Sequence, residues 1–499
     1  MSDTTKLNSG EKPVNINTHQ QVKKKRMLVT ISISFAVRYI VRTGLLDMLR
    51  AFSEPVVAIT WDQEDLVAEL RARGFEVHIV PADRRDSAYA DTRKKIDIWF
   101  EYFCLKSPST GIQRAYLDQF IPLKGRLLSH GRRLFNRFKL LLPGTRRKLF
   151  SREEQLLGEA TNYKSFLAFV DSLSVDAVFT VSPFHRQEDL LLRACKARGK
   201  QMITSILSFD NITKRGWIPV LYDVYLLWNA SNRAQLNRIY PNTKKQLVRV
   251  TGAAQFDFYF RPGYILPEEE WRILAGLPPK DDRKIILYAG GPGNLFPNEP
   301  QYLLHIDEAI RSGRIKGNPL ILFRCHPTDI VARWTAAAGD SPNIVVDHSW
   351  TGEGIVYHAN IRDMDIKKLC STLRYTDVHV NLCSTMTVDG SSFDKPQIGP
   401  AYDEAEPSRQ ALLQAMYRQE HFTAITSSGG LHLATSREIL INQVNEALQH
   451  PGAFSNARTS ILEQVITYTD GRSSERVAEA IQTALAGGYA PVGEKAPGK

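Results

Sequence analysis

Residues Ile361–Gly399 read IRDMDIKKLCSTLRYTDVHVNLCSTMTVDGSSFDKPQIG. Ile366, Leu369, Cys370 and Leu373 recur at the i, i+3, i+4, i+7 spacing of a helix with one buried face, which predicts a helix over Asp365–Thr376. Val378–Leu382 then reads as a short strand of β-branched and apolar residues. Cys383-Ser384-Thr385 follows as a turn, Met386–Phe393 as a second helix, and Lys395–Ile398 as the start of another strand. Where strand hands over to helix in such a parallel unit, free N–H groups and the positive end of the helix dipole collect, so the turn suits a phosphate. Ser384 and Thr385 add hydroxyl donors there. Asp389 lies one helical turn further on; a carboxylate repels phosphate, so its expected partner is a hydroxyl pair on a ribose or sugar. The alternative reading is a plain Ser/Thr helix cap of the kind many ordinary helices carry.

The same alternation runs outward from this stretch. Lys284–Ala289 (KIILYA), Leu320–Cys325 and Ile344–Val346 read as strands, with helices around Tyr302–Ser312 and Ile330–Ala338 between them and Arg437–Leu448 as the last helix of the unit. In the first half, Met27–Phe35, Pro55–Thr60, Phe75–Pro81, Ala177–Val181, Gln201–Leu207, Asp223–Trp228 and Leu247–Val250 read as strands. Helices such as Gln63–Arg73, closed by Gly74, lie between them. Strands alternating with helices over short connections predict doubly wound parallel α/β sheets, here two in series. The expected division is a disordered basic tail 1–26, an N-terminal Rossmann-like domain 27–260 with a helical insertion at about 91–150, and a proline-bearing linker 261–283. A second Rossmann-like domain 284–450, C-terminal helices 451–487 and a disordered end 488–499 complete it.

A chain of 499 residues suffices for two or three full cores, and 43% apolar with 23% charged residues is ordinary for a globular protein. No apolar run is long enough to cross a bilayer. Lys23-Lys24-Lys25-Arg26 before Met27–Phe35 imitates a signal peptide, but Arg38 and Arg42 follow at once without a small-residue cleavage site. The five cysteines are scattered, with no C-x-x-C pair, which argues against a disulfide framework or a zinc site and suits a reducing cytoplasm. A net charge of +11 points to an anionic partner. The densest basic stretch, 124–148, interleaves Arg126, Arg132, Arg133, Arg137, Lys139, Arg146, Arg147 and Lys148 with Leu127, Leu128, Leu134, Phe135 and Phe138. It suits either an anionic membrane surface or a solvated helix with a packed apolar face. Aromatic and basic residues interleave little elsewhere, which speaks against nucleic acid as the partner.

Three further constellations carry chemistry. Gly290-Gly291-Pro292-Gly293 follows a strand directly, where glycines let backbone amides approach a phosphate; a plain glycine turn is the competing reading. Arg324 and His326 in LILFRCHP (320–327) point to one side of a strand at its carboxyl end, a cation beside an imidazole that suits a leaving phosphate. The competing reading is a paired arginine and a capping histidine. Asp210, in Ser208-Phe209-Asp210-Asn211, is placed to take a proton from an acceptor hydroxyl, or else forms an Asx-turn. His185 is a second candidate base, and Arg38 and Arg42 are candidates to face the same cleft. No His, Asp or Glu cluster has metal-ligand spacing, and no hydrolase triad signature occurs.

Two α/β domains in series with a terminal helical tail resemble the GT-B glycosyltransferase architecture. Ser384-Thr385-Met386-Thr387-Val388-Asp389 with Asp394-Lys395-Pro396 looks like that group's Ser-Ser/Thr-x-x-x-Glu/Asp and Gly-Lys-Pro pattern. The same segment, with Arg324-x-His326-Pro327 and Asp365-Ile366, is similar to CDP-glycerol glycerophosphotransferases and related bacterial surface-polysaccharide enzymes. PheAspAsnIleThr (209–213), LeuLeuTrpAsn (226–229) and ValThrGlyAlaAlaGlnPheAsp (250–257) look like that set as well. Leu382-Cys383 stand where the glycerophosphotransferases usually show Asp-Tyr, and Asp394 where Gly is usual.

The resemblance implies two lobes facing a cleft, the second holding a nucleotide-activated donor and the first a glycan or lipid-linked acceptor. The expected activity is transfer of a sugar from a nucleotide-sugar donor in surface polysaccharide synthesis. A CDP-glycerol-type polyol-phosphate transferase, a nucleotide-sugar 2-epimerase and a non-catalytic polyanion-binding protein are the alternatives. Gly290, Gly291, Gly293, Ser384 and Thr385 are expected to hold the diphosphate, Asp389 donor hydroxyls, Arg324 and His326 the leaving group, and Asp210 the acceptor. Side chains and helix dipole then handle the phosphate charge, so no metal and no cofactor beyond the nucleotide substrate is expected. The expected location is the cytoplasm, peripheral to the inner face of the membrane.

Overall fold

The computed structural model describes residues 24–326, 329–349 and 359–487; the expected tails up to Lys23 and from 488 onward, and Pro327, lie outside them. Strands β1 (Lys25–Ile31), β2 (Ser53–Ile59), β3 (Glu76–Ile79), β4 (Ala177–Thr180), β5 (Gln201–Ser205), β6 (Val224–Leu227) and β7 (Leu247–Val250) form one parallel sheet in the order β3-β2-β1-β4-β5-β6-β7. Strands β8 (Ile285–Ala289), β9 (Leu320–Arg324), β10 (Ile344–Asp347), β11 (Val378–Asn381), β12 (Gln397–Pro400) and β13 (Leu431–Ala434) form a second, in the order β10-β9-β8-β11-β12-β13. Both sheets are doubly wound, the strand order reversing beside β1 in one and β8 in the other, which is where such sheets open a crevice for ligands. Helices cover both faces, so central strands such as β4 (AVFT) and β8 (IILYA) are buried throughout and read as continuous apolar runs.

Several element boundaries differ from the expectation. The first strand starts at Lys25, inside the expected tail, and stops at Ile31 because Ser34–Val37 already turns into a buried helix. The chain from Arg38 to Arg50 is a wide helical turn, Arg38–Arg42, and a separate helix, Leu45–Arg50, parted by Gly44 at φ 79°. β13, four residues (LHLA) too short to show a period in the sequence, was not expected; it pairs with β12 and sets Leu431 and Ala434 into the core. Between β3 and the helix that leads into β4 the chain forms the helices Ser87–Phe100, Pro108–Asp118, Leu123–Leu141 and Thr145–Glu159. Leu123–Leu141 has no buried residue.

The C-terminal helices join the two domains. Ser455–Val465 packs on the second domain, where Arg458 binds Asp394. Ser473–Leu485 crosses back to the first, its Val477, Ile481, Ala484 and Leu485 sharing one core with Leu45, Leu46 and Leu49. Its free N-terminal amides are satisfied from afar: Asp257 accepts from Ser473 N (2.9 Å) and Ser474 N (2.7 Å). Across the domain boundary Ser109 Oγ accepts from Glu420 N (2.7 Å) and Tyr116 packs on Phe296.

Candidate functional site

In the second sheet β9, β8 and β11 are neighbours, so the turns that leave their carboxyl ends lie side by side: 325–326 after β9, Gly290–Gly293 after β8 and Leu382–Thr385 after β11. This brings His326, the glycine turn and Ser384-Thr385 to one edge, as the sequence led us to expect. A buried polar chain fixes the third turn. Thr376 Oγ1 pairs with His379, His379 Nδ1 with Gln397, Gln397 Oε1 accepts from Asn381, and Asn381 Oδ1 accepts from Thr387 at the start of the next helix. Gly390 lies against this chain: a Cβ there would sit 2.2 Å from Gln397 Nε2 and 2.3 Å from His379 Nδ1. Cys383 takes a left-handed backbone (φ 47°), and its N–H donates to Tyr417 Oη. Ser384 Oγ accepts from Met386 N (3.2 Å), forming a tight turn that leaves Thr385 exposed at the helix entry.

Four of the expected ligand features, the Gly290-Gly291 pair, Gly293, Arg324 and Asp389, are used differently. Gly290 N–H donates to Arg324 O (3.0 Å), completing the β8–β9 ladder, and Gly291 N–H donates to both oxygens of Glu299 (3.0 and 2.9 Å). Neither amide is open to a diphosphate while Glu299 stays in place. Burial pushes the Glu299 carboxyl up to about 8, so at neutral pH it holds its proton beside the glycine turn. Gly293 is enclosed by Arg333 and Asp329, each with an atom 2.2 Å from where its Cβ would be.

Arg324 is the third correction. It is buried, donating to Asp347 Oδ2 (3.0 Å) and Ser349 O (3.0 Å), while Lys368 shares the same carboxylate. The guanidinium is thus half of a buried ion cluster that ties β9 to β10, not a cation waiting for a leaving group. Asp389 is the fourth. Tyr259, at the end of the first domain, donates its hydroxyl to Asp389 Oδ1 and accepts from Arg38 (3.0 Å). Burial pushes the Asp389 carboxyl up and Arg38 opposes that rise, so Arg38, Tyr259 and Asp389 latch the two domains together. Arg42 adds to the latch through Asn360 Oδ1 (2.7 Å).

His326 is half-buried, and burial lowers its imidazole to about 4, with Asp329 opposing. In this state it is uncharged at neutral pH, a hydrogen-bond partner rather than a proton carrier; a bound diphosphate would raise it. Asp210 lies in the first domain at the carboxyl end of β5, 3.6 Å from Lys214. Burial alone would raise its carboxyl, but Lys214 and His421 hold it below its usual range, so it is ionised. Sequence reasoning missed Tyr259, Glu299 and His421. Tyr259 sits within QFDFYF, which reads as core, and neither Glu299 nor His421 belongs to a motif.

Two Rossmann-like domains meeting at the carboxyl ends of their sheets, with hydroxyl and imidazole groups gathered on the second, define a GT-B-type architecture. The chain belongs to the CDP-glycerol:poly(glycerophosphate) glycerophosphotransferase family, whose sequence profile matches residues 218–483, just over half of its length. Family and architecture together make it a transferase of sugar or polyol-phosphate units.

No curated protein matches the chain in sequence. Solved structures similar in fold include S. aureus MnaA with UDP (TM-score 0.52, 11% identity, covering 93% of this chain and 97% of that one). A UDP-N-acetylglucosamine 2-epimerase is similar at TM-score 0.52 and 12% identity, covering 95% of this chain and 100% of its own. The UDP-GlcNAc 2-epimerase of Methanocaldococcus jannaschii follows at TM-score 0.50 and 10% identity, covering 91% and 99%. Among the described residues no helix is long and apolar enough to cross a membrane.

Proposed function

We propose that the protein transfers a polyol phosphate of the glycerol-phosphate type from a nucleotide diphosphate donor, held by the second domain, to a hydroxyl of a surface glycan or lipid-linked acceptor. The observation that carries this reading is that the family match spans the whole second domain, including His326 and the Ser384–Asp389 segment. In this reading Ser384, Thr385 and the entry of the following helix bind the diphosphate, and His326 donates a hydrogen bond to the leaving phosphate. Asp210, ionised and on the opposite domain, accepts the proton of the attacking hydroxyl. The acceptor oxygen bonds to the phosphorus that carries the polyol, and the bond to the departing nucleoside monophosphate breaks. UDP bound to the S. aureus MnaA structure supports a nucleotide in this architecture. The exposed basic and apolar helix Leu123–Leu141 docks the enzyme on an anionic membrane surface, where lipid-linked acceptors reside.

A second reading, glycosyl transfer from a nucleotide-sugar, is favoured by Leu382-Cys383 in place of Asp-Tyr. Asp394 no longer counts toward it. It sits at φ 54°, the left-handed position that Gly usually fills, and its carboxylate is spent on Arg458 and Ser455. The test is the leaving group. With CDP-glycerol and an oligo(glycerol phosphate) acceptor, polyol-phosphate transfer releases CMP. With UDP-sugars and acceptor, glycosyl transfer releases UDP, and an epimerase changes the free donor without acceptor. CMP release supports the proposal. UDP release only, or no turnover and no nucleotide-dependent rise in melting temperature, refutes it.

A further inference from the structure

The domain boundary holds a cavity of about 250 Å³, and none of its lining residues belongs to the donor turns. Its walls come from three places: Phe209 and 229–235 of the first domain, 420–427 of the second, and Gln464-Val465 of the helix that follows it. Two buried polar atoms in these walls have no hydrogen-bond partner among the described residues, Asn232 Oδ1 and His421 Nδ1. Asn232 is 2% exposed and His421 8%. The Asn232 amide cannot simply be turned over. Its Nδ2 donates to Phe209 O (2.8 Å) and Gln235 Oε1 (3.1 Å), which leaves Oδ1 as an acceptor in the wall. Native proteins seldom leave such a group unsatisfied unless something comes to satisfy it.

The charge of the cavity narrows what that is. Its one carboxylate, Glu420, is held by Arg238 at 2.5 Å, so that cation is spent. Gln235, Thr423, Ser427 and Gln464, which line the remainder, are neutral donors and acceptors. An incoming phosphate would therefore find no unpaired cation in the wall. The Phe209 ring, packed on Trp228, supplies one apolar surface of the sort the C–H face of a sugar or a glycerol chain needs. At roughly 30 Å³ per water the volume equals about eight waters, room enough for a single sugar ring or a glycerol unit.

We propose that this cavity is the acceptor subsite, and that it takes the neutral polyhydroxylated end of the acceptor, with Asn232 Oδ1 and His421 Nδ1 as its buried hydrogen-bond partners. The inference rests on the transferase reading above and deepens it. Asp210 directly follows Phe209, which lines the cavity, and its carboxylate acts on the His421 imidazole, which puts the proposed base at this end of the boundary.

The test uses the full chain with methyl α-glucopyranoside and glycerol as probes, read by saturation-transfer NMR. Ala424→Trp adds bulk to the cavity wall while leaving Asn232 and His421 unsubstituted, and Ser427→Trp, at an exposed wall position, does so independently. The native chain is expected to transfer saturation to at least one polyol, with binding about tenfold or more weaker in both variants. Their melting temperatures, and the rise produced by CDP or UDP, stay as in the native chain. Equal transfer in native and variant chains, no transfer in the native chain, or displacement of the polyol by inorganic phosphate overturns the assignment. A native chain that still responds to CDP or UDP but ignores both polyols removes this subsite alone. One that ignores nucleotides too overturns the transferase reading along with it.

Discussion

Replacing Phe135 and Phe138 together by Ser should release the protein from anionic membranes without touching its stability. Both rings lie on the helix Leu123–Leu141 and are 58% and 61% exposed. A phenylalanine side chain presents roughly 150–200 Å² when fully exposed, so each ring shows about 90–120 Å² to solvent. At about 25 cal/mol per Å² that is ~2–3 kcal/mol per ring if fully withdrawn from water. A helix lying in the headgroup region withdraws about half, which leaves ~1–1.5 kcal/mol each and about 2–3 kcal/mol for the pair. The partition coefficient should therefore fall about 30- to 150-fold. The assay is co-sedimentation with vesicles of phosphatidylglycerol and phosphatidylcholine, beside a thermal melt. Binding should also weaken at high salt and vanish on pure phosphatidylcholine, because Arg132, Arg133, Arg137 and Lys139 on the same helix supply the electrostatic part. Unchanged sedimentation of the double variant refutes the docking role. A melting temperature lowered by several degrees refutes the premise that these exposed rings add little to the stability of the fold.

His326→Ala should lower turnover by about 10²-fold or more with little change in melting temperature, whereas Arg324→Met should chiefly unfold the protein. Breaking a buried ion cluster by removing one partner costs about 3–5 kcal/mol, and loss of turnover at an unchanged melting temperature would return Arg324 to the chemistry. Gly390→Ala forces a methyl into His379 and Gln397, and should cost about 1–3 kcal/mol and weaken nucleotide binding by shifting the Ser384–Thr385 turn. A neutral variant would refute that geometry. Acid should destabilise the protein before the carboxylates titrate. Burial holds His326 and His421 at about 4 and His379 at about 3, so between the ordinary value of 6.5 and these lower ones the unfolded chain binds protons that the folded chain refuses. Stability is full above about 6.5 and is lost as pH falls, by at most about 2 kcal/mol per histidine at pH 5. Melting curves from pH 7 to 5 measure it, and His379→Gln should flatten the slope; a flat profile in the native chain refutes it.

How far the sequence alone reached follows from what it encodes. Alternating short apolar strands and amphipathic helices state which residues each element buries. That was enough to place β1–β12, both doubly wound domains and the Ser384–Asp389 turn, and to mark the Leu123–Leu141 helix as amphipathic. Periodicity does not say what meets a polar side chain after the chain has folded. Arg324 and Asp389 looked like open ligands because their partners, Asp347 and Tyr259, come from 23 and 130 residues away. The glycine turn looked like an open phosphate cradle because nothing near it marks Glu299 as the group that covers Gly291. The tail helix Ser473–Leu485 carries the periodicity of any amphipathic helix, and only tertiary packing sends it back to the first domain under Asp257. The exposure of Phe135 and Phe138 was equally hidden: a helix stripe shows that an apolar face exists, and only the folded chain shows that, among the described residues, more than half of each of these two stays uncovered.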